Sequence, residues 1–190
     1  MTELKAAVPG IVYDLRYAGT ANFTGKKLYP RGDLGFMRLA PALALKQVQE
    51  ALNKKGYGLK VFDAYRPHGA TVKMWELVKD ERYAANPAKG SGHNRGLAID
   101  LTIIEMSSGK ELDMGTGFDS FTDTAHHAFQ QLPKKVLENR LLLKQAMEAA
   151  GFKPLSTEWW HYSWPNDRNY AVLDIPFRSL LRAPARSAVR

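Results

Sequence analysis

An aspartate stands in the middle of an apolar alternation, Leu97-Ala98-Ile99-Asp100-Leu101-Thr102-Ile103. An ionised carboxylate inside a strand is costly unless it is paired or bound to a cation. Period two puts Ala98, Asp100 and Thr102 on one face and Leu97, Ile99, Leu101 and Ile103 on the other, so Asp100 points away from the greasier face, among small neighbours that leave room for a metal. Just before this strand, Gly90, Gly92 and Gly96 read as a flexible turn that carries His93 among glycines and polar residues. Further along, Glu158-Trp159-Trp160-His161 adds a second imidazole and a second carboxylate. The chain has no cysteine, which excludes disulfides and thiolate ligands and leaves nitrogen and oxygen to hold any metal. A catalytic zinc takes three such ligands and keeps a fourth position for water. His93, Asp100 and His161 complete that set, and Glu158 is left over as a base.

Glu158 and His161 impose a geometric condition. Three residues apart, they share a helix face but point to opposite faces of a flat strand, and Trp159 and Trp160 favour a strand. A bulge or bend reconciles the two, and bulges concentrate beside active sites. The tryptophan rings read as core packing next to the site. His126-His127 is the rival source of imidazole ligands; adjacent side chains diverge in direction, which favours His161.

At 190 residues, with 45% hydrophobic and 24% charged residues, the chain is sized for a single domain with a substantial core. Met1 to Pro9 lacks the apolar run of a secretory signal, and no window is long enough to cross a bilayer. The expectation is a soluble cytoplasmic protein with no membrane partner. The net charge is +8, and Arg178, Arg182, Arg186 and Arg190 recur every fourth position at the end of the chain. On a helix they would form a stripe suited to nucleic acid, but Pro184 interrupts it. Residues 178–190 therefore read as a solvated basic tail after a catalytic domain spanning 1–177, and no nucleic-acid partner is expected.

Val8 to Tyr17 reads as a strand that enters a long loop. A helix follows from Pro41 to just before Gly56, with Leu43, Ala44, Val48, Ala51 and Leu52 at helical spacing. Leu59 to Tyr65 reads as a strand, and Pro67 restricts Arg66 to extended geometry before a helix that runs toward Asp80. Arg66 is thereby held at a strand-to-helix junction, from which a side chain can be aimed. A later helix spans about 138–150, with Leu141, Leu142, Ala146 and Ala149 on one face and Gly151 as its stop. Ile104 to Asp123 and His126 to Pro133 read as loops. Without a regular βαβ rhythm, the order favours an α+β fold with a largely antiparallel sheet.

Ser91-x-His93-x-x-Gly96-x-Ala98-x-Asp100 with Glu158-x-x-His161 resembles the zinc D-alanyl-D-alanine dipeptidases, which include the vancomycin-resistance dipeptidases, within the D-Ala-D-Ala metallopeptidases. Tyr13-Asp14-Leu15-Arg16-Tyr17, Asn22-Phe23-Thr24-Gly25, Asp63-Ala64-Tyr65-Arg66-Pro67 and Leu112 to Asp119 resemble family segments in the same order. The resemblance runs nearly unbroken from Tyr13 to Tyr162. It implies one zinc ion per chain on His93, Asp100 and His161, Glu158 as general base, and Arg66 as the group that stabilises the transition state. It also implies that Asp119, Ser91 and Tyr17 hold a small dipeptide, with Asp119 facing its free ammonium. Without the resemblance, Asp119 reads as a loop residue or a cap before Phe121. The implied fold is a single α+β domain with a central, mainly antiparallel sheet and helices packed against it, the D-Ala-D-Ala metallopeptidase or hedgehog-like fold. Two other functions share the metal motif. A D,D- or L,D-carboxypeptidase acting on peptidoglycan stem peptides needs a cleft open on the amino side of the substrate. A catalytically inactive, zinc-stabilised binding module needs neither Glu158 nor Arg66.

Overall fold

The computed structural model describes residues 1–81 and 83–182. In chain order the elements are β1 (Thr2–Glu3), α1 (Leu4–Ala7), β2 (Val12–Tyr13), β3 (Phe36–Met37), α2 (Leu39–Asn53), β4 (Tyr57–Asp63), α3 (His68–Leu77), α4 (Gly92–Arg95), β5 (Ala98–Glu105), α5 (Lys134–Ala149), β6 (Lys153–Leu155), β7 (Glu158–Ser163) and α6 (Phe177–Arg182). Five strands form the main sheet in the order β2-β4-β5-β7-β6, and β1 pairs with β3 separately. Only β2 runs parallel to its neighbour; the other pairings of the main sheet are antiparallel. This is the α+β architecture, with α2 packed on β4 and on α5, and α5 against β6 and β7.

The central strand β5 is buried from Ala98 to Ile104, so its alternation separates two covered faces rather than core from water. Ile99, Leu101 and Ile103 join the main apolar cluster with Leu45, Val48 and Leu52 of α2 and Leu143 and Met147 of α5. The other face carries the polar row. A bulge between Val61 and Asp63 shifts β4 by one residue, and a one-residue shift exchanges the faces of a strand. Asp63 consequently pairs with Asp100, which pairs in turn with His161 on β7.

Several local expectations are corrected. The strand expected over Val8 to Tyr17 is confined to Val12–Tyr13; Val8 closes α1, and Arg16–Ala18 is a 3₁₀ turn. Val8, Ile11, Leu15 and Tyr17 are all buried along that irregular path, a spacing that only resembles alternation. Leu43 of α2 is 49% exposed, and the inward face is instead Ala42, Ala44, Leu45, Val48 and Leu52. In α5, Leu141 is 51% exposed and Ala149 also faces outward. The inward face there is Val136, Asn139, Arg140, Leu143 and Met147, because Asn139 and Arg140 turn inward to bind loop carbonyls of Asp113, Met114 and His126. The turn expected across Gly90 to Gly96 contains the helix α4, and α3 stops at Leu77 rather than Asp80.

Residues 178–182 of the segment expected as a basic tail belong to α6, which starts at buried Phe177. Arg186 and Arg190 lie outside the described residues. Among the described residues, no helix is long and apolar enough to cross a membrane.

One buried polar side chain fastens α2 to the sheet. Gln49, 2% exposed, accepts the Leu59 N–H through Oε1 at 2.9 Å. Gln49→Leu leaves that amide buried without an acceptor, and urea unfolding should show a loss of about 1–3 kcal/mol.

Candidate metal centre

The Asp63–Asp100–His161 row supplies two of the three expected ligands, and α4 supplies the third. Ser91 caps this single-turn helix: its Oγ accepts the Asn94 N–H at 3.2 Å while Asn94 Oδ1 accepts the Ser91 N–H at 2.9 Å. Gly96 ends the turn in the left-handed region, at φ 69°. Gly92 lies so close to β5 that a Cβ there would meet the Ala98 Cβ at 2.8 Å. That close approach lays α4 on the polar face of β5 and brings His93 over Asp100.

The outer nitrogen of each imidazole is bound away from the centre. His93 Nδ1 donates to the Ala64 carbonyl at 2.8 Å, and His161 Nε2 meets Ser163 Oγ at 3.1 Å. With the outer nitrogens carrying the protons, His93 Nε2 and His161 Nδ1 present lone pairs, the arrangement by which a second shell prepares histidine ligands. These two nitrogens are 3.4 Å apart. Asp100 Oδ1 is 2.8 Å from His161 Nδ1, and Oδ2 is 3.4 Å from His93 Nε2. One ligand atom from each residue falls within 4.8 Å of the others. Converging lone pairs on two nitrogens and an oxygen require positive charge between them. The pKa shifts describe the alternative in which the rings carry that positive charge themselves. Burial pushes Asp100 up, but His93 and His161 outweigh it and hold the carboxyl far below its usual range. Burial likewise pulls His93 down, and Asp100 and Asp63 reverse the shift. A divalent cation that accepts nitrogen and oxygen ligands fits this set.

Glu158 reaches the same place through a distortion of β7. Pro154 pairs with Tyr162, yet Leu155 pairs with Glu158, so Trp159 to His161 bulge out of the ladder. The bulge lets Glu158 and His161 face one cleft, with Glu158 Oε2 3.9 Å from His161 Nδ1. Burial raises the Glu158 pKa, His161 opposes the shift, and the charge of Asp100 adds to it. The two tryptophans hold the bulge: both are buried, Trp159 Nε1 donates to Thr116 Oγ1 at 2.8 Å, and Trp160 packs edge-on against Phe118.

Arg66 is 5% exposed, and its Nε and Nη2 donate to Asp63 Oδ2 at 2.9 and 2.6 Å. Its guanidinium lies 4.9 Å from the centre of the Tyr17 ring. The Tyr17 hydroxyl is 3.0 Å from each oxygen of Asp119, to which it donates. Asp119 has φ 59°, in the left-handed region, where a non-glycine residue is held by its surroundings. Burial, then the charge of Asp100, raises its pKa to about 8. His93, Asp100, His161, Glu158, Arg66, Asp119, Ser91 and Tyr17 all line one cleft of about 190 Å³, with Phe121, Leu155 and Trp160 as apolar walls. Ser91 and Tyr17 are occupied there by structural bonds, as cap and as Asp119 donor. His126 and His127 do not line this cleft.

A family model described as D-Ala-D-Ala dipeptidase matches residues 1–178. The chain belongs to this family of metallopeptidases. A D-alanyl-D-alanine dipeptidase of Escherichia coli K12 is 35% identical over 173 residues, covering 91% of this chain and 89% of the relative. One from Enterococcus faecium is 34% identical over 182 residues, covering 85% and 89%. Among solved structures, a vancomycin-resistance D,D-pentapeptidase in complex with Zn(II) is 19% identical, covers 71% of this chain and 75% of its own, and gives a TM-score of 0.44.

Within this dipeptidase-family site, sequence reasoning missed the supports. Asp63 is fully buried, and its Oδ1 accepts the Tyr29 hydroxyl at 2.5 Å and the Ala64 N–H at 2.9 Å. Asn94, also fully buried, donates to the Arg66 carbonyl at 2.9 Å and to Thr71 Oγ1 at 2.8 Å. The available signal was an aspartate three residues before Arg66 on a strand without another basic residue nearer than Lys60. Asp63→Ala strands a buried guanidinium; chemical denaturation should show a loss of about 3–5 kcal/mol.

Proposed function

We propose that this metallopeptidase is a zinc dipeptidase that hydrolyses D-alanyl-D-alanine to two molecules of D-alanine, with one zinc per chain on His93, Asp100 and His161. The observation that carries the substrate reading is the Asp119 carboxylate, buried in the same cleft as that ligand set and held by Tyr17. The relatives named D-alanyl-D-alanine dipeptidase support the same choice. A free dipeptide is the substrate, so we place the reaction in the cytoplasm, away from finished peptidoglycan.

Zinc bound by these residues supplies Lewis acidity, which makes water acidic enough to attack near neutral pH. Glu158 faces the ligand set, and its raised pKa makes it a stronger base than an exposed carboxylate. It takes the proton of the attacking water and returns it to the departing amine, so the peptide C–N bond breaks without releasing an unprotonated amine anion. Arg66 keeps its charge at any working pH and is fixed by Asp63, so it can meet the oxyanion without reorganising; such a donor is worth about 10²- to 10³-fold in rate. Asp119 pairs with the substrate ammonium. Crowded by Asp100 and Glu158, it gains most when a cation arrives, which selects a free N-terminus over a neutral acylated one.

Zinc-loaded protein should release D-alanine from D-Ala-D-Ala and leave N-acetyl-D-Ala-D-Ala and L-Ala-L-Ala intact. Asp119→Asn should raise KM for the free dipeptide by about 30-fold or more, the cost of leaving an ammonium without its carboxylate. Rapid cleavage of the acetylated dipeptide by the unaltered chain would overturn the dipeptidase reading.

Metal analysis and turnover together separate the ligands from the base. Glu158→Ala should retain zinc and lose about 10²- to 10⁴-fold in kcat. His161→Ala should lose both metal and turnover. A Glu158→Ala protein as active as the unaltered chain would remove Glu158 from the proposed role.

A further inference from the structure

A second cavity, of about 250 Å³, opens beside α5 and is lined by His127, Lys134, Arg140 and Lys144, with Glu138 the one acid in its lining. Arg140 is 5% exposed. Its Nε donates to the Met114 carbonyl at 2.7 Å and its Nη1 to the His126 carbonyl at 3.2 Å, while Nη2 is buried without an acceptor. His127 Nε2 is likewise buried without a partner. The acids nearby are spoken for at the rim: Lys144 meets Glu148 at 2.7 Å, and Lys134 comes within 3.8 Å of Glu138. The field inside is under-compensated. Burial, then Lys144 and Arg140, pushes His127 down to about 4, so the ring is neutral and can offer Nε2–H as a donor. Burial lowers Arg140 as well, with only Asp113 opposing it.

A buried permanent cation with one unpartnered N–H nitrogen, a neutral imidazole beside it and two lysines at the rim call for a ligand with acceptor oxygens and negative charge. A single water has a share of liquid volume of about 30 Å³, a small part of this cavity. We propose that the cavity is a binding site for a small oxyanion, attracted by the buried charge of Arg140 and met at the mouth by Lys134 and Lys144. Phosphate and an amino-acid carboxylate both present this chemistry. The site also adjoins the catalytic strand, since the His127 N–H donates to the Ser156 carbonyl at 3.0 Å, in the turn that leads to Glu158.

The test is calorimetric titration of the zinc-loaded full chain with sodium phosphate, and separately with D-alanine, at constant ionic strength. Two double variants are compared: Lys134→Ala with Lys144→Met, and Lys54→Ala with Lys55→Ala as a control of equal charge loss. The unaltered chain and the control should bind one equivalent of at least one of the two ligands, and the cavity variant should bind it at least about tenfold more weakly. Loss in the phosphate arm identifies phosphate; loss in the D-alanine arm identifies a carboxylate. No saturable binding, or equal affinity in all three proteins, overturns the proposal. Equal affinity would assign the bound anion to the metal centre and leave the cavity to water.

Discussion

Asp63 is fully buried and does not line the cleft, yet its carboxylate sets the positions of the groups that do. It accepts Nε and Nη2 of Arg66 on one oxygen and the Tyr29 hydroxyl and Ala64 N–H on the other, and His93 Nδ1 lies 3.5 Å away. Taking a carboxylate out of water costs several kcal/mol, which only a full set of donors offsets. Those donors are consequently fixed. Arg66 has one orientation, and Ala64, held by the same carboxylate, offers its own carbonyl to His93. The bulge in β4 puts Asp63 directly opposite Asp100, a like-charge pair that would be unfavourable alone. Arg66 compensates it on one side, and on the other the imidazoles do so when protonated or through a cation that they bind. The catalytic face is therefore an alternating array of buried charges spread over β4, β5 and β7, and a cation between His93, Asp100 and His161 completes the alternation.

Asp119 shows the opposite tendency. It sits in left-handed backbone, mostly desolvated, with other carboxylates near enough to raise its pKa to about 8. None of that favours the folded chain. Strain and unfavourable charge gathered at one residue support the ligand-binding role proposed for it. Tyr17 keeps it in place, with its hydroxyl on Asp119 and its ring against Arg66. The residues proposed for the substrate ammonium and for the oxyanion are thus braced by one buried phenol.

Much of this was legible from local pattern. The alternation through Asp100 reported the polar face of β5 correctly, and Pro67 marked the junction that aims Arg66. The three-residue separation of Glu158 and His161 required a distorted strand, and β7 contains one. What stayed hidden depends on distant partners. The inward face of α5 includes Asn139 and Arg140, whose acceptors are loop carbonyls far away in sequence, so apolar periodicity rotated the helix wrongly. Ser91 and Asn94 form a capping box within the glycine-punctuated segment, and glycine content concealed the helix. The weight carried by Asp63 rests on a bulge and on Tyr29, neither of which spacing reveals.

The proposed chemistry turns on a metal bound by two imidazoles and one buried carboxylate, and X-ray absorption at the zinc edge of the loaded protein tests it most directly. The prediction is one zinc per chain with two imidazole nitrogens and oxygen ligands, losing one imidazole in His93→Ala and none in a His126→Ala, His127→Ala protein. A spectrum that loses its imidazole signal with His126 and His127, and keeps it in His93→Ala, would contradict the account.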